Sequence, residues 1–313
     1  MSRSVATRLL PLLLLVLAPV GVFAAMVAVD RMFGAPGRGL DYVIRLDLPP
    51  AGGEIGLPRI EGPLDASRPL VVIDAGHGGH DPGAGSGSIK EKAVTLALVD
   101  ALRDRLLAQG GVRVALTRDD DRFLLLTERA GIARRLKADL FISIHADSAV
   151  DGEATGATVY TLSARGSSEA AARLATKENR ADTVNGVALG QQSDAVSAIL
   201  VDLSQRETEA RSHEFARLVL REGAERLHFR EQGLQSAAFV VLKSADLPSV
   251  LFEAGYISNP ADAAQLASAG GRRIFADVTA RAIRVYFARS LDTGVTAGSG
   301  AGPDATSTAS SAR

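Results

Sequence analysis

The chain has no cysteine and no tryptophan, and only 4% of its residues are aromatic. Without cysteine there are no structural disulfides and no thiolate metal knots, so any metal must be held by histidine and carboxylate. This absence does not locate the protein, because a cysteine-free chain suits oxidising and reducing compartments alike. An excess of charge of one sign is also missing. The 35 basic and 36 acidic residues leave a net charge of −1, which gives no support for nucleic acid as a partner. Neither the Gly-x-x-x-x-Gly-Lys-Ser/Thr phosphate loop nor a His-Glu-x-x-His helix occurs. What remains is the composition of an ordinary folded protein: 313 residues, 46% hydrophobic and 23% charged, enough for one large core with extensions.

One long apolar run stands at the start. Arg3 and Arg8 precede Leu9–Val29, an uncharged stretch long enough to span a bilayer as a helix. Pro11, Pro19 and Gly21 weaken that helix, and the small residues around Val22–Ala25 also fit a cleaved export signal. Signal peptide and membrane anchor at 1–29 both stand, and either exports the remainder. Residues 30–67 read as a Pro/Gly-rich linker with one short strand at Tyr42–Leu48. The folded unit is expected over 68–290, followed by a Gly-, Ala-, Ser- and Thr-rich disordered tail at 291–313.

Within 68–290 strands and helices alternate. Strands are expected at Leu70–Asp74, Val112–Thr117, Leu140–Ile144, Thr158–Leu162, Ala238–Leu242 and Ser249–Phe252. Helices are expected at Ala93–Gln109, Leu126–Leu136, Ser168–Lys177, Ala261–Ala267 and Phe275–Ala288. The fold class is therefore α/β, a single domain with a twisted, mostly parallel mixed sheet of about six strands covered by helices on both faces. Functional groups in such sheets collect at the carboxyl ends of the strands.

His77, His145 and Glu253 all fall at such ends. His77 opens a glycine-rich loop after the first strand, His145 closes Phe141–Ile144, and Glu253 follows Val250–Phe252. Glu91 lies just before a helix, where by itself it would read as a carboxylate favouring the helix dipole. Two histidines need a third ligand, however, and His77, Glu91 and His145 make the two-His, one-carboxylate set of a catalytic zinc site with a position left for water. Glu253 in a buried strand end is either salt-bridged or functional, and the functional reading makes it the general base and then general acid of a hydrolase. His80 is close enough to line the cleft, whereas His213 and His228 look unrelated to the metal. Asp119–Asp121, flanked by Arg118 and Arg122, reads as a polar turn.

Taken together, residues 70–288 resemble the zinc-dependent N-acetylmuramoyl-L-alanine amidases of bacterial cell-wall metabolism, the amidase-3 family. The resemblance rests on Asp74–Gly79, Asp81–Ala84, Glu91 before a helix, Thr117-Arg118, Phe141–His145, Phe239–Lys243, and Pro248–Glu253 through Ser258-Asn259-Pro260. It implies one zinc ion held by His77, Glu91 and His145, with Glu253 as the catalytic carboxylate. The implied reaction is hydrolysis of the amide between the lactyl group of N-acetylmuramic acid and L-alanine of the peptidoglycan stem peptide. Asp147 departs from the family pattern, in which asparagine commonly follows His-Ala. No wall-binding repeat is recognisable.

The stretch 178–211 is similar to the insertion of division-associated amidases, in which a helix blocks the zinc cleft until a LytM-type activator displaces it. In the sequence itself, Val196, Ile199, Leu200 and Leu203 recur at helical spacing. Glu178 is the candidate inhibitory carboxylate reaching the metal. The implied setting is the periplasm or cell envelope, with peptidoglycan as partner and membrane contact through 9–29 if that run is uncleaved. Two other readings stay open: a catalytically silent wall-binding protein that keeps the fold, and a zinc peptidase cutting within the stem peptide.

Overall fold

The computed structural model describes residues 56–86, 89–149, 154–184, 187–188, 198–244 and 246–298, together with Val22 and Ala25. The rest of the apolar run at 9–29, the expected strand at Tyr42–Leu48, Val196, and the tail beyond Gly298 lie outside these residues. Among the described residues no helix is long and apolar enough to cross a membrane.

Six strands form the main sheet. They are β1 (Leu70–Ala75), β2 (Arg113–Leu116), β3 (Leu140–Asp147), β4 (Ala157–Leu162), β5 (Phe229–Ala237) and β6 (Ser249–Tyr256), in the order β2-β1-β3-β6-β4-β5. Every neighbouring pair is parallel except β6 with β4. The helices are α1 (Glu91–Gln109), α2 (Leu126–Arg135), α3 (Glu169–Glu178), α4 (Ala198–Gly223), α5 (Pro260–Ala267) and α6 (Ala269–Gly298).

Successive side chains of a strand point to opposite faces, so the apolar runs of the central strands feed two cores at once. Val71, Ile73, Ile142 and Phe252 pack with Leu98 and Leu102 of α1, Phe215 of α4 and Phe275 and Ile283 of α6. Leu70, Val72, Phe141 and Leu251 pack on the other face with Leu126 and Ala133 of α2, Ala171 and Leu174 of α3, and Phe239 and Leu242. The helix starts follow local chemistry: the Ser168 hydroxyl accepts the Ala171 N–H to cap α3. Asn259 caps α5 ahead of Pro260, whose missing N–H costs nothing at a first helical position.

Three expectations are corrected. Ala238–Leu242 is not a strand: Val240–Leu242 forms a single 3-10 turn, and the strand is the preceding Phe229–Ala237. That strand is at the sheet edge and half polar, whereas Phe239, Val241 and Leu242 turn inward to close the second core. The helix expected around Ile199–Leu203 starts at Ala198 but runs on to Gly223. Residues 291–298, expected in the tail, continue α6. Ahead of β1, Glu61 exchanges backbone hydrogen bonds of 2.8 and 2.9 Å with Val114, pairing the outer edge of β2.

Candidate metal centre

The parallel strands β1, β3 and β6 end at one edge of the sheet, and their exits carry the chemistry. After Ala75 the chain enters a tight loop in which His77 has φ of 60°, a left-handed conformation rare for a residue with a side chain. Two buried arginines hold that loop through its carbonyls. Arg129 donates to the oxygens of Ala75, His77 and Leu124 at 2.7, 2.9 and 3.1 Å, and to Asp74 Oδ1 at 2.9 Å. Arg118 donates to Ala75 and Gly76 at 2.9 and 2.8 Å. Asp74 also accepts from the hydroxyls of Thr117 and Ser143, at 2.6 and 2.7 Å, so the whole edge is tied to one buried carboxylate. Burial opposes the charge on Asp74, but Arg129 and the two hydroxyls outweigh it and hold its pKa below the ordinary value.

Gly76 is required by contact. A β-carbon there would stand 2.5 Å from Nε2 and Cε1 of His145, so only glycine lets the loop lie against that ring. The two imidazoles meet edge to face with centroids 4.9 Å apart. Asp81 Oδ2 takes Nδ1–H of His77 at 2.7 Å, which turns Nε2 and its lone pair inward. Glu91 opens α1. Its Oε2 accepts the Ala84 N–H at 2.7 Å and its Oε1 the Ala146 N–H at 2.9 Å, fixing the carboxylate between the loops.

His77, Glu91, His145 and Glu178 each turn a donor atom to a common point, all four within 4.8 Å of one another and all buried. Glu91 Oε1 is 3.1 Å from His77 Nε2 and 3.2 Å from His145 Nδ1. Glu178 Oε2, at the end of α3, is 3.2 Å from both of those nitrogens. Yet His77 Nε2 and Glu178 Oε2, both buried, make no hydrogen bond among the described residues. Only His145 Nδ1 and Glu91 Oε1, 3.2 Å apart, are hydrogen-bonded within the set. Two imidazole nitrogens and two carboxylate oxygens converging with His77 Nε2 and Glu178 Oε2 left unpartnered among the described residues fit a divalent cation that prefers nitrogen and oxygen ligands. Burial disfavours charge on both histidines, but Glu91, Asp81 and Glu178 outweigh it at His77 and raise its pKa well above the usual range. The carboxylates of Glu178 and Glu91 do the same at His145, lifting it to about 10. The centre therefore draws positive charge into a buried place.

Glu253 lies beside this cluster, level with His145 on β3 and with Thr158 on β4. Both its oxygens and the Thr158 hydroxyl are buried without a hydrogen bond among the described residues. The salt-bridged alternative for Glu253 thus has no counterpart there. Burial and the nearby Asp147 push its pKa well above that of an ordinary carboxyl. Asp147 accepts from Lys177 Nζ at 2.9 Å, and Lys177 stands 3.6 Å from its neighbour Glu178, so this pair fastens the end of α3 over the centre.

Of the remaining histidines, His80 stacks on Phe123 with centroids 4.1 Å apart, and His213 lies 3.2 Å from Thr161 Oγ1. Neither they nor His228 join the cluster. Asp119–Asp121 forms a polar turn in which Asp121 accepts from the Gly79 N–H and Lys92 Nζ. Sequence reasoning missed the supporting roles of Asp81, Arg118, Arg129 and Lys177. The spacing of Asp81 four residues after His77 was the one local sign available for any of them.

Comparison with known proteins follows the same chemistry. The sequence model of the N-acetylmuramoyl-L-alanine amidase family, amidase-3, matches residues 71–285. The N-acetylmuramoyl-L-alanine amidase AmiA of Escherichia coli (strain K12) is 40% identical over 222 residues, covering 70% of this chain and 76% of that protein. The AmiC amidase of Neisseria meningitidis serogroup B is 37% identical over 226 residues, covering 72% of this chain and 54% of that protein, so the chain matches about half its length. Among solved structures, the amidase AmiC2 of Nostoc punctiforme superposes with a TM-score of 0.51 at 30% identity, over 71% of this chain and 98% of that one.

Proposed function

The chain belongs to the N-acetylmuramoyl-L-alanine amidase family, and on that premise we propose that it is a zinc-dependent hydrolase of the amide joining the N-acetylmuramic acid lactyl group to L-alanine of the peptidoglycan stem peptide. The observation that carries this reading is the buried convergence of His77, Glu91, His145 and Glu178 within 4.8 Å, with orphaned donor atoms, beside the unpartnered carboxyl of Glu253.

In this reading His77, Glu91 and His145 hold one zinc ion, and Asp81 keeps the His77 ring oriented through Nδ1. Zinc bound there supplies Lewis acidity toward the amide carbonyl and the attacking water. Glu253 takes the water proton at one of its free oxygens and returns it to the departing alanine nitrogen. Its raised proton affinity suits a group that must keep a proton between those two events. The apolar strands behind it exclude bulk water and strengthen each of these interactions.

Glu178 is the inhibitory contact. It fills a donor position that substrate and water need, and α3 and the segment to residue 211 restrain the enzyme until a LytM-type activator withdraws them. Residues 1–29 serve as export signal or membrane anchor, 30–67 as linker and 68–290 as catalytic domain, whose last helix runs on to Gly298 ahead of the tail. The setting is the periplasm or cell envelope, and the role is wall remodelling during daughter-cell separation.

The test is digestion of purified peptidoglycan by zinc-loaded protein, with products read by mass spectrometry. Free stem peptides beginning with L-alanine are expected. In Glu253→Gln their release should fall about 100- to 10,000-fold with zinc content retained, and in Glu178→Ala it should rise. Internal cleavage of the stem would mean a peptidase. No product from a folded, zinc-loaded Glu178→Ala protein would leave a silent wall-binding protein.

A further inference from the structure

Beyond Glu253 the same sheet edge carries a cation that no carboxylate among the described residues pairs. Arg230, near the start of β5, is half-buried and makes no ion pair among the described residues, its side chain bonding Tyr256 instead. Its guanidinium lies over the Tyr256 ring, 5.4 Å from the centroid, and Nη1 donates to the Tyr256 hydroxyl. Burial, then Asp147, push the Tyr256 pKa to about 12, so a neutral phenol faces Arg230 and leaves its charge uncompensated. A guanidinium has five N–H donors, and among the described residues Arg230 uses its fork for one bond to a phenol. The buried arginines differ: Arg118 and Arg129 are filled by carbonyls and a carboxylate.

The placement is built into the strands. Register in β6 shifts between Glu253 and Tyr256, and Gly255 has φ of 153°. A bulge of this kind re-aims the following side chain. Asp262 Oδ2 fixes the result by accepting the N–H groups of Tyr256 and Gly156, each at 2.9 Å, while Oδ1 accepts from the Thr155 hydroxyl at 2.7 Å. The carboxylate of Asp262 is thereby taken up by three protein donors. Register also shifts in the β4–β5 pair between Ala157 and Val159, next to Arg230. Two irregularities thus converge on one arginine–tyrosine pair.

Reading across the edge from β3 to β6 to β4 gives His145, Glu253 and Thr158 in register, and on β5 Arg230 follows Phe229, the residue paired with Ala157 just before Thr158. Strands are spaced by about 4.8 Å, so β5 lies roughly 10 Å from β6, and the arginine reaches part of the way back to Tyr256. An extended peptide advances about 3.3 Å per residue. A stem peptide whose L-alanine nitrogen sits at Glu253 would bring its second or third residue to Arg230.

We propose that Arg230, braced by Tyr256, is the specificity residue that binds a carboxylate of the stem peptide two or three residues along from the cleaved bond. This rests on the amidase reading. The planar fork on an aromatic face favours a bidentate carboxylate contact over a carboxamide, which offers one acceptor and two unwanted donors. The contact contributes to holding substrate and product, not to the proton transfers at Glu253.

The experiment compares synthetic N-acetylmuramoyl-tripeptides with free carboxylates at residues two and three against the same compounds amidated at each position in turn. Zinc-loaded wild type, Arg230→Gln, Arg230→Lys and Tyr256→Phe are assayed, with melting curves to verify folding. Wild type should lose about 10- to 100-fold in kcat/KM on one of the two amidations, mostly through KM. Arg230→Gln should be slow on the free acid to the same extent and indifferent to that amidation, and Arg230→Lys should recover part of the preference. Equal rates of wild type on all compounds, or a preference that survives Arg230→Gln, would overturn the assignment while leaving the amidase intact. Absence of L-alanyl peptide from every compound, including with Glu178→Ala, would remove the amidase reading and this assignment with it.

Discussion

Replacing Arg129 by methionine should unfold the metal centre from behind without touching any donor atom. Arg129 and Asp74 are 2% and 0% exposed and 2.9 Å apart. Methionine preserves the aliphatic packing of the side chain but leaves Asp74 with only the hydroxyls of Thr117 and Ser143, takes the Arg129 bond from the carbonyls of His77 and Leu124, and leaves the Ala75 carbonyl to Arg118 alone. Breaking one side of a buried ion pair typically costs about 3–5 kcal/mol. For a domain of this size each kcal/mol moves Tm by about 2–4 °C, so a fall of about 6–20 °C is expected by calorimetry. The pH dependence has a definite sign. Asp74 is depressed in the folded wild type, so its contribution is present above the ordinary aspartate pKa of about 3.9 and is lost as pH falls through the folded value. The gap between wild type and Arg129→Met should therefore be full at neutral pH and narrow below about pH 4. Adding Asp74→Asn to Arg129→Met should restore part of the loss, because no uncompensated charge is then buried. A Tm within about 2 °C of wild type, less than 1 kcal/mol on a scale of roughly 2–4 °C per kcal/mol, or a double variant no better than the single one, would refute this account of the scaffold.

Other outcomes follow from the geometry of the centre. Gly76→Ala should weaken zinc binding about tenfold or more, read by competition with a chelating dye, because the new methyl meets the His145 ring at 2.5 Å; unchanged affinity would mean that the ring can move freely. Lys177→Met should raise basal turnover about two- to fivefold, since the half-exposed pair with Asp147 fastens Glu178; lower turnover would count against restraint by α3. Zinc at 100 times its dissociation constant should stabilise the folded state by about 2.7 kcal/mol, and a chelator should reverse the Tm gain, whereas a Tm indifferent to zinc would argue against the site.

The parts of this protein that were legible from sequence share one physical cause. Buried parallel strands need continuous apolar runs, so Leu70–Ile73, Leu140–Ile144 and Val250–Phe252 announced themselves, and any polar residue closing such a run stood out. His145 and Glu253 were found that way. Glu91 emerged from the need for a third donor, and Glu178 from family likeness. The edge strand Phe229–Ala237 was missed because one side faces solvent and its residues look like loop, while the apolar Phe239–Leu242 beside it packs as a turn. Arg118 and Arg129 were illegible for a different reason. A buried arginine on a short helix or turn has the same letter as a surface one, and only three-dimensional carbonyls reveal its use. Arg230 likewise acquires meaning only once two bulges and Tyr256 are placed around it.

The donors of the centre come from four separate stretches, spread from His77 to Glu178, and none lies on the same loop as another. In a zinc finger the ligands lie close in sequence and metal can nucleate the fold. Here a nascent chain has nothing to offer a metal until β1 and β3 are paired, α1 is docked and α3 has closed. A metal held by these four groups would load only at the end of assembly, and metal content would then report how many molecules have finished it.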